Sequence, residues 1–359
     1  MPGRDGDIVR MNPSPIRIGV VGAGHMARRH TEAMAPLCES GRCRVVAVAD
    51  RERSRADAMA AALGAPAFAN SAQLLEATSP QLVIVATPPV QHAQDLRACL
   101  AHGAHVLCEK PFTVAPADLP DIASAAPDAR LHVAMASKYR YDAAVRWAAM
   151  HAADGAIGTL QDLDIRFAQV VDMSSRWNSQ RAISGGGVLM DNGPHALDLA
   201  RMFLGPLAAL RADAGESSGV LPVEDSVRLT VRSASGLVGR AFLSWAATSG
   251  VPWFLSVQGS TGSLQVGWQG AGLYRHGADA PVASVAGFDG AAAMRAQLED
   301  MLDAIAGNHL PDAGLAEAAA TVHAISAAYD SLEHGGGRPI PGPAANEEAA
   351  PPERLRCAS

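Results

Sequence analysis

Ile16-Arg17-Ile18-Gly19-Val20-Val21-Gly22-Ala23-Gly24-His25-Met26-Ala27 is the stretch whose reading decides the fold. A short β-rich apolar run ends in Gly-x-Gly-x-x-Ala, and a helical pattern starts at once. In that setting Gly22 permits a tight turn and Gly24 lets the backbone approach a pyrophosphate. Ala27 needs only to be small where helix meets strand. The amides around His25 and Met26, at the helix N-terminus, offer unbonded N–H groups to an anion. Asp50 closes the second apolar run, where a carboxylate hydrogen-bonds the adenosine ribose. It would repel a 2′-phosphate, which favours NAD. Arg51, Arg53 and Ser54 follow directly and keep NADP as the alternative.

Outward from this turn the chain alternates short apolar runs with longer Ala-rich stretches of helical spacing. Candidate strands are 16–21, 44–49, 82–86, 104–108 and 131–135, and candidate helices are 25–38, 53–63, 90–102 and 117–126. Such alternation predicts a doubly wound, mostly parallel α/β sheet over residues 15–137. After residue 138 the rhythm changes. A helix (141–153), a strand (160–170) and a glycine-opened helix (188–203) lead into β-type runs at 207–212, 226–232, 237–246, 253–259 and 263–268. Consecutive strands imply an α+β domain with a mostly antiparallel sheet over 138–335. Helices 291–306 and 315–333 close the chain, the last one free to pack back on the first domain. Residues 1–14 and 336–359 read as disordered.

Composition narrows the function classes. The 359 residues carry 48% hydrophobic and 18% charged side chains, with a formal charge of −7. No basic field exists for nucleic acid or an anionic membrane surface, and no run of about 18 apolar residues predicts a membrane span. The start lacks the apolar core of a signal peptide. Five cysteines without metal-site spacing read as free thiols, so no metal and a cytoplasmic location are expected.

Three further segments sit where strands end. Thr87-Pro88-Pro89 follows the strand at 82–86, at the carboxyl edge where doubly wound sheets bind ligands. His92 either faces that ligand or caps the next helix. Cys108-Glu109-Lys110-Pro111 follows another apolar strand, and a lysine there is costly without a partner or a role. Pro111 is a candidate cis proline. Glu109-Lys110 on its own reads equally as a surface ion pair. The run Gly185-Gly186-Gly187-Val188-Leu189-Met190-Asp191-Asn192-Gly193-Pro194-His195 places Asp191 and His195 one helical turn apart on one face. Asp191 is expected to hydrogen-bond one imidazole nitrogen of His195 and leave the other free as general base. Asp198, on the same face, binds substrate, neutralises Lys110 or is a surface acid.

Taken together these motifs resemble the Gfo/Idh/MocA oxidoreductase family over about residues 15–335. The resemblance rests on Gly22–Ala27, Ala86-Thr87-Pro88-Pro89-x-x-His92, His105 through Phe112, Lys138-Tyr139-Arg140-Tyr141, and Gly185 through Asp198. Ala27 in place of the last glycine is the main departure. The resemblance implies an N-terminal Rossmann domain and a C-terminal open-faced sheet that supports dimers or tetramers. It also implies oxidation or reduction of a secondary hydroxyl on a sugar, amino sugar or cyclitol. Lys110 is then a substrate-hydroxyl contact and His195 the acid/base with Asp191 beside it. Tyr139 and Arg140 lie near substrate, and Trp177 is a sugar-stacking residue in a variable loop. The expected cofactor set is Gly22, Gly24, His25, Met26, Ala27, Asp50, Arg51, Thr87, Pro88, His92, Glu109 and Lys110. Specificity is expected from loops near 172–184 and 246–275. An NAD-dependent glycoside hydrolase of the same fold, a non-enzymatic dinucleotide sensor and an imine or enone reductase remain as alternatives.

Overall fold

A computed structural model describes residues 14–126, 131–217, 219–307 and 309–341. Its first part runs β1 (Ile16–Val21), α1 (His25–Glu39), β2 (Cys43–Ala49), α2 (Arg53–Leu63), β3 (Ala67–Phe68), α3 (Ser71–Thr78), β4 (Leu82–Val85), α4 (Pro89–Ala101), β5 (His105–Cys108), α5 (Leu119–Ala125) and β6 (Val133–Met135). The six strands are parallel in the order β3-β2-β1-β4-β5-β6. The order reverses between β1 and β4, so a crevice opens at their carboxyl ends. The central strands are apolar except for Arg17 near the start of β1, because helices cover both faces, and Ile18, Val20, Leu82, Val83, Ile84 and Val85 are fully buried.

The β3–α3 unit was not foreseen from sequence. Ala67 and Phe68 make too short a strand to show a period, and Asn70, which caps α3 by accepting from the Gln73 amide, was the available signal.

Gly22 shows why the opening turn is written as it is. Its φ is +94°, and a Cβ there would stand 2.5 Å from the Ala86 carbonyl oxygen. Gly22→Ala is expected to destabilise the fold by roughly 1–3 kcal/mol, read as a lowered thermal midpoint with weakened dinucleotide binding. A midpoint equal to the parent's would remove this account of the turn.

The remainder runs α6 (Ala143–Ala153), β7 (Leu160–Ala168), α7 (Arg181–Ser184), α8 (Val188–Leu204), β8 (Leu207–Ala214), β9 (Ser226–Ser233), β10 (Val238–Ser244), β11 (Trp253–Gly259), β12 (Gly262–Gly267), β13 (Gly270–Arg275), β14 (Ala283–Ala286), α9 (Gly290–Ile305), α10 (Leu315–His334) and β15 (Arg338–Pro339). Nine strands form one sheet in the order β14-β13-β12-β11-β7-β10-β9-β8-β15, antiparallel except at β7–β10. In β9 Val227, Leu229 and Val231 are buried while Arg228, Thr230 and Arg232 are exposed. That alternation marks a sheet covered on one face, here by α8 and α10.

Both closing helices reach the first sheet. Leu298, Met301 and Leu302 of α9 pack with Ile18, Met34 and Ile84. In α10, Ala318 and Val322 join the first core while Ile325 and Ala328 join the second. The edge of β6 is extended by an antiparallel bridge from Ala134 to Gly314.

One expectation needs correction at the C-terminal end. Residues 336–341 are ordered, because Arg338 and Pro339 pair with β8 and Ile340 is buried against the second core. Residues 1–13 and 342–359, also expected to be disordered, lie outside the described residues, as does Cys357.

Candidate functional site

The dinucleotide turn is built as its residue types dictate. The Gly22 amide donates to the Ala49 carbonyl oxygen, and the Ala23 amide donates to Asp50 Oδ2 at 2.7 Å. The other Asp50 oxygen accepts from the Glu52 amide at 2.8 Å, so this carboxylate first of all shapes the loop. Gly24 starts α1 with no side-chain cap and no acidic residue in the first turn. A Cβ on Gly24 would meet nothing within 4 Å. Open space beside unclaimed helix amides fits a pyrophosphate. Ala27 is fully buried against Val20 and Val48, His25 is exposed, and Arg51 is exposed beside the turn.

A cavity of about 160 Å³ lies between this turn and the second sheet. It is lined from α1 (Met26, His30), the β5 end (Glu109, Lys110), the β6 end (Ala136, Lys138, Tyr139), α8 (Asp191, Asn192, His195) and α9 (Met294, Gln297). The peptide bond Lys110–Pro111 is cis. Lys110 Nζ donates to Asp191 Oδ1 at 2.5 Å and to the Asp191 carbonyl oxygen at 2.9 Å. This corrects the expected Asp191–His195 hydrogen bond, because the carboxylate turns away from the imidazole to the nearer ammonium. Among the described residues the His195 ring has no hydrogen-bond partner. It is buried edge-on to the Tyr139 ring, with centroids 4.8 Å apart. Burial holds its pKa well below the usual histidine value, and the positive charges of Lys110 and Lys138 push it further the same way. His195 is therefore neutral and able to accept a proton.

Several expected contacts fall elsewhere. Arg140 does not line the cavity: its guanidinium pairs with buried Asp198, Nη2 to Oδ1 at 2.5 Å. Asp198 also accepts from Ser137 Oγ at 2.6 Å, so it anchors α8 to the segment after β6 and is free for neither substrate nor Lys110. His92 neither faces a ligand nor caps a helix. It is fully buried, its ring nitrogens each 2.8 Å from the carbonyl oxygens of Pro111 and Thr87, and it ties the two strand-end turns together.

Thr87 Oγ1 donates to Asp95, which leaves Thr87 and Pro88 at the crevice as backbone. Trp177 is 43% exposed and outside the cavity lining. The three glycines serve packing: a Cβ on Gly186 would collide with Tyr329, and one on Gly187 with the Glu224 carbonyl oxygen.

Glu109 is not a surface partner of Lys110. It is buried, bonded to His30 Nε2 at 2.7 Å and to the Lys110 amide at 3.2 Å. Burial alone would raise its pKa, yet the His30 contact and the nearby lysines outweigh that and hold it lowered and ionised.

Sequence reading missed His30, Lys138, Asn192, Met294 and Gln297 as lining residues. His30 was accessible, being one helical turn beyond Met26 on the face of α1 that meets the crevice. Lys138 stood in a quoted run without a role. Met294 and Gln297 arrive on a helix remote in sequence, and nothing local announces them. Gln297 Oε1 is buried in the lining with no protein partner among the described residues, an acceptor left for a bound group. No group of described residues forms a metal cluster, and no described helix is long and apolar enough to cross a membrane.

Residues 16–137 match a family described as an oxidoreductase family with an NAD-binding Rossmann fold, and residues 145–265 match the GFO/IDH/MocA C-terminal domain. A dTDP-3,4-didehydro-2,6-dideoxy-alpha-D-glucose 3-reductase of Saccharopolyspora spinosa is 32% identical over 213 residues, covering 57% of this chain and 62% of that protein. The levoglucosan dehydrogenase of Pseudarthrobacter phenanthrenivorans is 28% identical over 264 residues, covering 62% and 66%. The chain thus spans a little under two thirds of the length of these two relatives. A solved levoglucosan dehydrogenase in complex with NADH and levoglucosan superposes with a TM-score of 0.82 at 20% identity, covering 91% of this chain and all of that one. At that identity the likeness is one of fold.

Proposed function

The chain belongs to the Gfo/Idh/MocA oxidoreductase family, and from that premise we propose that it is an NAD(P)-dependent dehydrogenase or reductase acting on a secondary alcohol or ketone of a sugar, amino sugar or cyclitol. The observation that carries the reading is one cavity, beside the dinucleotide turn, that holds a lysine–carboxylate pair and a neutral, unbonded imidazole. Nicotinamide, when bound, supplies the hydride acceptor or donor.

The protein's part is proton handling and charge. A free ring nitrogen of His195 takes the hydroxyl proton. The Lys110 ammonium, oriented by Asp191, stabilises the charge that develops on the oxygen. Tyr139 packs edge-on against the imidazole and fixes its plane. Reduction follows the same path in reverse. Gly22, Gly24, His25, Met26 and Ala27 carry the dinucleotide at the helix N-terminus. Asp50 favours NAD over NADP, because a 2′-phosphate would meet a carboxylate already turned toward the loop.

The same reading extends to assembly and location. The outward face of the second sheet carries a hollow of about 540 Å³ lined by Trp253, Trp268 and Tyr274, with Trp268 51% exposed. An aromatic hollow of this kind suits a second copy of the chain in a dimer or tetramer. Cys38, Cys43, Cys99 and Cys108 are free thiols, which suits the cytoplasm.

The test follows reduced-nicotinamide absorbance with purified protein, NAD or NADP, and a panel of sugars, amino sugars and inositols. Steady reduction with one polyol class and faster turnover with NAD is the expected result. Absence of any turnover in both directions, with the protein folded and cofactor bound, would sink the dehydrogenase reading.

A further inference from the structure

The cavity contains two lysines, and among the described residues only one of them forms an ion pair with a carboxylate. Lys110 is matched by Asp191. The other acid in the lining, Glu109, commits its oxygens to His30 and to the Lys110 amide. Lys138 has neither an ion pair nor a hydrogen bond to its ammonium among the described residues. Its Nζ rests over the rings of Tyr139 and Phe288, 5.4 and 5.8 Å from their centroids. That shelf is apolar and rigid, since the two rings stack on each other at 4.7 Å. Burial and repulsion from Lys110 lower the Lys138 pKa, against a smaller opposing pull from the Glu109 and Asp191 carboxylates, neither of which pairs with its ammonium.

Size sharpens the point. A cavity of about 160 Å³ holds on the order of five waters at liquid density. A substrate entering it displaces those waters, and Lys138 then loses its solvation unless the substrate supplies an acceptor. A neutral hydroxyl replaces one hydrogen bond but no charge. An anionic group replaces both, and such charge-assisted bonds are about twice as strong.

We infer that Lys138 is the receptor for a carboxylate on the substrate, so that the preferred substrates are polyhydroxy acids such as uronic or aldonic acids rather than neutral sugars. A carboxylate is favoured over a phosphate because Asp191 and Glu109 already stand near the two lysines, so a monoanion bonded to the Lys138 ammonium adds one negative charge where a dianion would add two. The acid group on Lys138 and the reacting hydroxyl between Lys110 and His195 fix the substrate at two points, which sets the carbon that is oxidised. This inference takes its site from the dehydrogenase reading and adds the substrate class.

The experiment compares matched pairs, D-glucuronate with D-glucose and D-galacturonate with D-galactose, in the wild type and in Lys138→Met and Lys138→Arg. Lys138→Met keeps a flexible stem over the two rings, and a thermal midpoint and NADH affinity near the parent's confirm that it folds. The acid is expected to be preferred by the wild type. The acid-to-neutral ratio of kcat/KM is expected to fall by at least about 30-fold in Lys138→Met, mostly through KM, and to recover partly in Lys138→Arg. A ratio that moves less than about three-fold, or a wild type that prefers the neutral member, overturns the inference and leaves the dehydrogenase reading in place. Calorimetric binding of the same ligands to NADH-loaded protein separates the two claims. Acid binding lost in Lys138→Met with no turnover of any ligand upholds the carboxylate receptor and removes the dehydrogenase reading. Acid and neutral members binding alike in both proteins overturns the receptor.

Discussion

Replacing His195 with alanine is expected to lower kcat by about 10²–10⁴-fold, the range associated with loss of a positioned general base, while dinucleotide affinity stays within about two-fold. The separation follows from position. His195 sits in the second turn of α8 against Tyr139, whereas the dinucleotide turn lies at β1 and the start of α1, on another side of the cavity.

The pH profile carries the same argument. The folded pKa of His195 is held well below 6.5 by burial and by two neighbouring cations. Its proton-accepting form therefore persists as pH falls through about 6.5, where an ordinary histidine would protonate. Oxidation is expected to stay near its plateau across that window. Removing a cation relieves the depression, so Lys110→Met or Lys138→Met should move the acidic limb to higher pH. A limb near 6.5 in the wild type, unmoved in either variant, would show that another group supplies the base.

Legibility in the sequence followed periodicity and locality. The strand–turn–helix at Ile16–Ala27 was readable because apolar run, glycines and helix start are contiguous. β3 and β15 were not, since two-residue strands have no period. The apolar alternation of β9 and the caps of α6 and α9, where Asp142 and Asp289 accept from the following amides, place the second domain's elements well.

The candidate site was read as a set of residues but not as a set of pairs. Asp191 and His195 share a helix face by spacing, yet which of them meets Lys110 depends on how β5 and α8 approach in space. Spacing likewise offered Asp198 as a cavity acid. The buried guanidinium of Arg140, 58 residues away along the chain, claimed it instead. Met294 and Gln297 lie outside any local rule, because α9 crosses back to the first sheet.

The pairing of Asp191 with Lys110 yields the second large effect. Lys110→Met should reduce kcat by about 10²–10³-fold, since it removes a preorganised charge aimed at the developing alkoxide. Asp191→Asn should also reduce it, because the lysine then loses the bond that orients it. The two losses are not expected to add: once Lys110 is methionine, the carboxylate has nothing to orient, and a double-mutant cycle should give a coupling of about 0.5–3 kcal/mol. The same cycle between Asp191 and His195 should give a much smaller coupling, because the carboxylate bonds Lys110 and no hydrogen bond joins it to the imidazole, whose pKa is lowered first by burial and then by the two lysines. The contrast between the two cycles is the measurement that matters. A carboxylate acting through the imidazole, as helix spacing alone suggests, would reverse their order. The larger coupling on the Lys110 side would mean that the chain uses its helix carboxylate to hold the lysine and leaves the imidazole to be tuned by burial and by repulsion from its cationic neighbours.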